Sequence, residues 1–140
     1  MPTMSHKQVK TRQGFFVDEG IAEIISTINE LPHLETFTSC QGGSESFELA
    51  YVMFAEPRRF CVSFLNRMVR EMDKIWNDLS KKGKLLVEVS PNNWQHGEID
   101  FYFMIALGDG YIMRWHPSIT KYVLQAVKKI SLDKYSANAV

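Results

Sequence analysis

Ile21, Ile24, Ile25, Ile28 and Leu31 recur at helical spacing, the apolar stripe of a helix with one face turned to a core. The spacing predicts a first helix over about 19 to 31, ended by Pro32, with Asp18 placed to cap its first turn. Thr36, Phe37 and Thr38 then favour a strand, and Phe47 to Phe54 alternates with apolar residues on both faces. These two strands are predicted to pair as a hairpin. Pro57 opens a long helix, roughly 57 to 82, which Gly83 stops. Its apolar face is Cys61, Phe64, Leu65, Met68, Met72, Ile75, Trp76 and Leu79, and its other side carries arginines and lysines. Strands are predicted at Leu85 to Ser90, Glu98 to Leu107 and Tyr111 to Trp115, the last two joined by the tight-turn sequence Gly108-Asp109-Gly110. A final helix begins near Pro117 and buries Ile119, Tyr122, Val123, Ala126, Val127 and Ile130.

Strand pairs separated by single helices give the order α-β-β-α-β-β-β-α. That is an α+β two-layer sandwich, a mainly antiparallel sheet with helices on one face. A chain of 140 residues builds one core of this kind. The expected division is a flexible N-terminal arm over 1 to 13, a single domain over 14 to 134 and a flexible tail over 135 to 140. Strands apolar on both faces, with helices on one side only, leave a face to cover, and a homodimer would cover it.

Charge narrows the partners. Sixteen basic and sixteen acidic side chains cancel, so no long-range field draws the chain to nucleic acid or to an anionic membrane. The polar start MPTMSHKQVKTRQG has no apolar stretch to act as a signal, and no run is long enough to span a bilayer. A cytoplasmic protein with Cys40 and Cys61 as reduced thiols is expected.

Candidate chemistry gathers in three places. In Thr38-Ser39-Cys40-Gln41-Gly42-Gly43 a thiol and two glycines sit where a strand turns into a loop. Successive backbone N–H groups in such a turn can form an anion-binding nest, and the plain alternative is a flexible hairpin loop. The stretch 90 to 103 concentrates Asn92, Asn93, Trp94, Gln95, His96, Glu98 and Asp100. An aromatic ring beside amide and imidazole groups suits a heterocyclic base, although Pro-Asn-Asn is also an ordinary turn. Arg114 precedes Trp115, His116 and the last helix, where it can hold an anion or pair with Glu98 or Asp100. Cys40, His33, His96 and His116 show none of the short spacings of a zinc site, so no metal is assigned. Nor does the spacing demand a nucleophile built from Cys40 with His96 or His116 as its base.

The helix DEGIAEIISTINELP, the strand ending TFTSCQG and the strand AYVMF resemble small bacterial and phage proteins in which an N-terminal helix leads into a Ser-Cys-x-Gly turn. More distantly they are similar to the wybutosine-synthesis methyltransferase family, which modifies phenylalanine tRNA with S-adenosylmethionine. The resemblance covers residues 15 to 54, with Ser39, Cys40 and Gly42 on the motif and Gly43 where that family has arginine. It implies an α+β fold and a site at the turn. The expected function is binding or sequestration of a small anionic, nucleotide-like ligand, without catalysis or cofactor, by Ser39, Cys40, Gln41, Gly42, Gly43, Asn92, Asn93, Trp94, His96 and Arg114. The alternatives are an S-adenosylmethionine-dependent transferase acting on a nucleic-acid base, and a protein-interaction module with no small ligand.

Overall fold

The computed structural model describes residues 6–43, 49–55, 58–79, 85–90, 101–106 and 111–133. Its first element is one the hydrophobic pattern does not announce. Gln8–Lys10 (β1) and Phe16–Asp18 (β2) pair antiparallel, with Val9 opposite Val17. Residues 8–13, expected to lie in a flexible arm, are thus paired and hydrogen-bonded into the fold. Three residues per strand are too few for a periodicity signal, and the segment is held by polar contacts that composition does not reveal. The loop between them closes through Thr11 N–H to Phe15 O and Gly14 N–H to Thr11 O, at 2.8 and 3.0 Å, with Gly14 at φ 98°. Its Arg12 N–H and Gln13 side chain bond Ser26 Oγ and Ser26 O, which seats the hairpin on the first helix.

That helix is a 3-10 turn, Glu19–Ile21, running into α1, Ala22–Glu30. Ile21, Ile24, Ile25 and Ile28 are buried as the spacing predicts. Asp18, by contrast, does not cap: its side chain makes no hydrogen bond to the first turn and is engaged elsewhere. In the last turn of α1, Asn29 Nδ2 donates to Ile25 O and Thr36 Oγ1 while its Oδ1 accepts from Thr36 N–H, so one amide fixes the entry into the next strand.

Thr36–Cys40 (β3), Ala50–Phe54 (β4), Leu85–Ser90 (β5), Phe101–Ala106 (β6) and Tyr111–Trp115 (β7) form one sheet in the order β3-β4-β7-β6-β5. Three of its four pairings are antiparallel and β5–β6 is parallel, a mainly antiparallel sheet as expected. The predicted tight turn at 108 to 110 lies outside the described residues.

Burial alternates along β4: Ala50, Val52 and Phe54 are buried, Tyr51 and Met53 only partly. Ala50 and Val52 lie opposite Trp115 and Met113, which lie opposite Phe103 and Ile105. All of these join one apolar cluster with residues of the helices, so the helical layer covers this face. Arg58–Leu79 (α2) contributes Cys61, Phe64, Leu65, Met68 and Met72. Thr120–Leu132 (α3), entered through the turn Pro117–Ile119, contributes Val123, Ala126, Val127 and Ile130 and packs against both α1 and α2. Each fully buried Ile, Leu, Met or Phe side chain contributes about 1.5–3 kcal/mol by leaving water. Trp115, wholly buried, keeps its polar atom satisfied through Nε1–H to Thr120 Oγ1 at 2.9 Å. Among the described residues no helix is long and apolar enough to cross a membrane.

Candidate functional site

Where β2 ends, the chain brings Asp18 under the end of β3. Asp18 is 7% exposed. Its Oδ2 accepts from the backbone N–H of Gln41 at 2.9 Å and its Oδ1 accepts from Gln8 Nε2 at 2.5 Å. One buried carboxylate thus joins β1, β2 and the turn after β3.

Gln41 reaches back across the same seam. Its Oε1 accepts from Gly20 N–H at 2.8 Å, and its Nε2 lies 3.1 Å from His6 Nδ1. Because Gly20 N–H requires the amide oxygen, the NH2 group faces His6, whose Nδ1 is then the acceptor and Nε2 the protonated nitrogen of the neutral ring. Gly42, at φ 74°, turns the chain so that its own N–H points at Cys40 Sγ, 3.4 Å away. The N–H groups of Gln41 and Gly42 are therefore spent on Asp18 and Cys40. They are turned inward rather than offered as a nest.

The result is a cluster of three ligand types. His6, Asp18 and Cys40 bring ring nitrogen, carboxylate oxygen and thiol sulfur within 4.8 Å of one another, with Asp18 buried and the other two half-buried. None of the three pairs is close in sequence, so no spacing motif signals them. Cys40 stands out in the sequence by its position at a strand end, whereas His6 falls in the expected arm and Asp18 occupies a helix-cap position.

Arg114 is brought to the same part of the sheet by register. Cys40 lies opposite Tyr51, Tyr51 opposite Arg114 and Arg114 opposite Met104, so Cys40, Tyr51 and Arg114 stand in one row across three strands. Two interstrand steps separate the backbones of Cys40 and Arg114, about 10 Å. The Arg114 guanidinium lies 6.0 Å from the centre of the Tyr51 ring, within cation–π range. Its Nε is shut away from solvent and meets no hydrogen-bond acceptor among the described residues. Ser39 is on β3 opposite Val52, and Gly43 follows the turn, half-buried. Asn92, Asn93, Trp94 and His96 lie outside the described residues, as do Glu98 and Asp100, the pairing partners considered for Arg114. His116 serves its own chain: its Nδ1 accepts from Ser118 N–H at 3.1 Å and caps the turn before α3.

Set beside known proteins, the chain stands on its own residues: no protein-family model, no curated protein and no solved structure matches it.

Proposed function

We propose that the chain is a cytoplasmic, non-catalytic binding protein that holds a small anionic, nucleotide-like ligand beside the turn at Cys40. The observation that carries this reading is the row Cys40, Tyr51 and Arg114. Arg114 presents a permanent positive charge braced on an aromatic ring, with one buried N–H that meets no acceptor among the described residues. An unpaired buried donor costs about 1–3 kcal/mol, and an anionic oxygen docking on the guanidinium offsets part of that cost through a charge-assisted bond. Tyr51 adds a face on which a planar base can stack. With the Gln41 and Gly42 N–H groups turned inward, the charge recognition passes from the backbone to this arginine.

Calorimetric titration with adenosylmethionine, ADP-ribose-like compounds and cyclic dinucleotides tests the proposal. One compound of the panel is expected to bind and to be recovered unaltered, with affinity reduced about tenfold or more in Arg114→Gln, the loss of a charge-assisted hydrogen bond. Absence of binding by the wild type, or equal binding by Arg114→Gln, would overturn it. A methylated product would favour the adenosylmethionine-dependent transferase instead. A homodimer belongs to the same proposal, supported by Phe37, 73% exposed on the outermost strand β3. Sedimentation velocity at micromolar concentration tests it.

A further inference from the structure

A buried carboxylate normally has a cationic partner or a metal. Asp18 has neither a lysine nor an arginine within ion-pair distance among the described residues. Its hydrogen bonds among the described residues come from the neutral Gln8 amide and the Gln41 backbone N–H. Beside it stand an imidazole and a thiol, both half-buried. We infer that His6, Asp18 and Cys40 form a binding site for one divalent transition-metal ion of the zinc class. This inference rests on the three-residue cluster and stands apart from the ligand site at Arg114.

The donor set selects the metal. A thiolate with an imidazole and a single carboxylate suits zinc or cobalt, whereas magnesium and calcium require oxygen ligands. Charge balances as well: binding displaces the Cys40 thiol proton to solvent, and the thiolate and the Asp18 carboxylate then neutralise the two positive charges of the ion.

Geometry asks for little movement. Metal–ligand bonds of about 2.0–2.3 Å place tetrahedral ligand atoms roughly 3.5 Å apart. The donor atoms already lie within 4.8 Å of one another, so closing on an ion shifts side-chain ends by about 1 Å on that tetrahedral geometry. The outer contacts are in place: Gln8 and Gln41 N–H orient the carboxylate, and Gly42 N–H points at the sulfur. His6 must give up its bond from the Gln41 amide if Nδ1 is the ligand. Among the described residues no fourth His, Cys, Asp or Glu joins the cluster, which leaves a position for water or an exogenous ligand, the pattern of an open zinc site.

The test uses the full chain without a polyhistidine tag, stripped with a chelator and titrated with Co(II), then with Zn(II) against a chromophoric competitor. One equivalent of Co(II) is expected, with visible bands of tetrahedral intensity and a near-ultraviolet thiolate-to-cobalt charge-transfer band. Cys40→Ser removes the charge-transfer band. His6→Ala lowers Zn(II) affinity by at least the roughly 10–100-fold that losing even an outer-shell partner costs. Cys61→Ser keeps both band and stoichiometry, because Cys61 is fully buried on α2 with Sγ 3.0 Å from Ala55 O. Circular dichroism of His6→Ala and Cys40→Ser separates lost binding from lost fold, and should either fail to fold, alkylation of Cys40 in the wild type replaces it. No charge-transfer band in the wild type, or one that survives Cys40→Ser or alkylation, overturns the inference. So does unchanged Zn(II) affinity in folded His6→Ala.

Discussion

The carboxylate of Asp18 holds the backbone N–H of Gln41 at 2.9 Å, across a separation of twenty-three residues, and so fixes where the strand ending in Cys40 must turn. Both carboxylate oxygens are used, the second by Gln8. An asparagine at this position keeps the shape but turns an NH2 group toward one of the two donors. Asp18→Asn is expected to lower stability by about 1–3 kcal/mol, the cost of a buried donor left without its acceptor, and Asp18→Ala by more. Urea denaturation measures both, and an Asn variant as stable as the wild type would refute the pinning role.

Gly20 makes the complementary contact from the other side. A Cβ added there would stand 2.7 Å from Gln41 Oε1, so the amide must swing aside and Gly20 N–H loses its acceptor. The amide is the end of a flexible side chain, and the backbone need not move. Gly20→Ala is therefore expected to cost only about 1 kcal/mol, one net hydrogen bond, while the His6 ring resonances shift in NMR as Gln41 Nε2 leaves Nδ1. An unchanged His6 spectrum would show that the amide does not report on the ring.

Much of this fold is legible in the sequence because it follows from burial. The isoleucines of α1, the Cys61-to-Met72 face of α2 and the strands Leu85–Ser90 and Tyr111–Trp115 are all dictated by periodicity. The N-terminal hairpin is not, because polar contacts hold it and its partners are remote. The site divides the same way. Cys40 and Arg114 are visible as residues at strand ends, but their shared row depends on register through β4, which no spacing within one strand encodes. Asp18 sits where a helix cap belongs by local rules, and a tertiary partner, Gln41, takes it instead.

Arg12 anchors that hairpin to α1 through Nε to Glu30 at 2.6 Å, Nη2 to Glu30 at 3.0 Å and Nη1 to Glu23. The hydrogen bond from Arg12 holds Glu30 below the ordinary glutamate range. A carboxyl depressed in the folded state stabilises folding above its unfolded pKa, about 4.3, and that contribution fades as pH falls through the lower folded value. Both side chains are 46% exposed, so the effect stays within the ~0–1 kcal/mol of a solvated pair. Glu30→Gln is expected to flatten the stability profile below about pH 5, the unfolded side of the glutamate titration. Thermal melts between neutral and acid pH check this, and a variant profile parallel to the wild type would contradict it.

Glu71 is the buried charge that does have partners. At 5% exposure it faces Lys74 at 3.3 Å, Lys129 at 3.5 Å and Arg67 at 3.8 Å, which joins α2 to α3. The lysine side chains are 64% and 51% exposed, so they rehydrate when the carboxylate is lost. Glu71→Gln is expected to cost about 1–2 kcal/mol, above a surface pair and below a fully buried one. Added salt should narrow the gap between wild type and variant in urea denaturation, and a gap that does not narrow would place the loss in packing.

Gly42 separates the backbone from the chemistry of the turn. Its φ of 74° belongs to the left-handed region, and its N–H meets Cys40 Sγ. Any L side chain is strained there by about 1–2 kcal/mol, a β-branched one most. Gly42→Val should therefore lower stability and disturb the Gln41 and Cys40 positions together. Cys40→Ser leaves an oxygen able to accept the same N–H and should be nearly neutral in urea denaturation. Equal destabilisation by the two substitutions would show that the thiol itself, through packing rather than turn geometry, keeps this end of β3 in place.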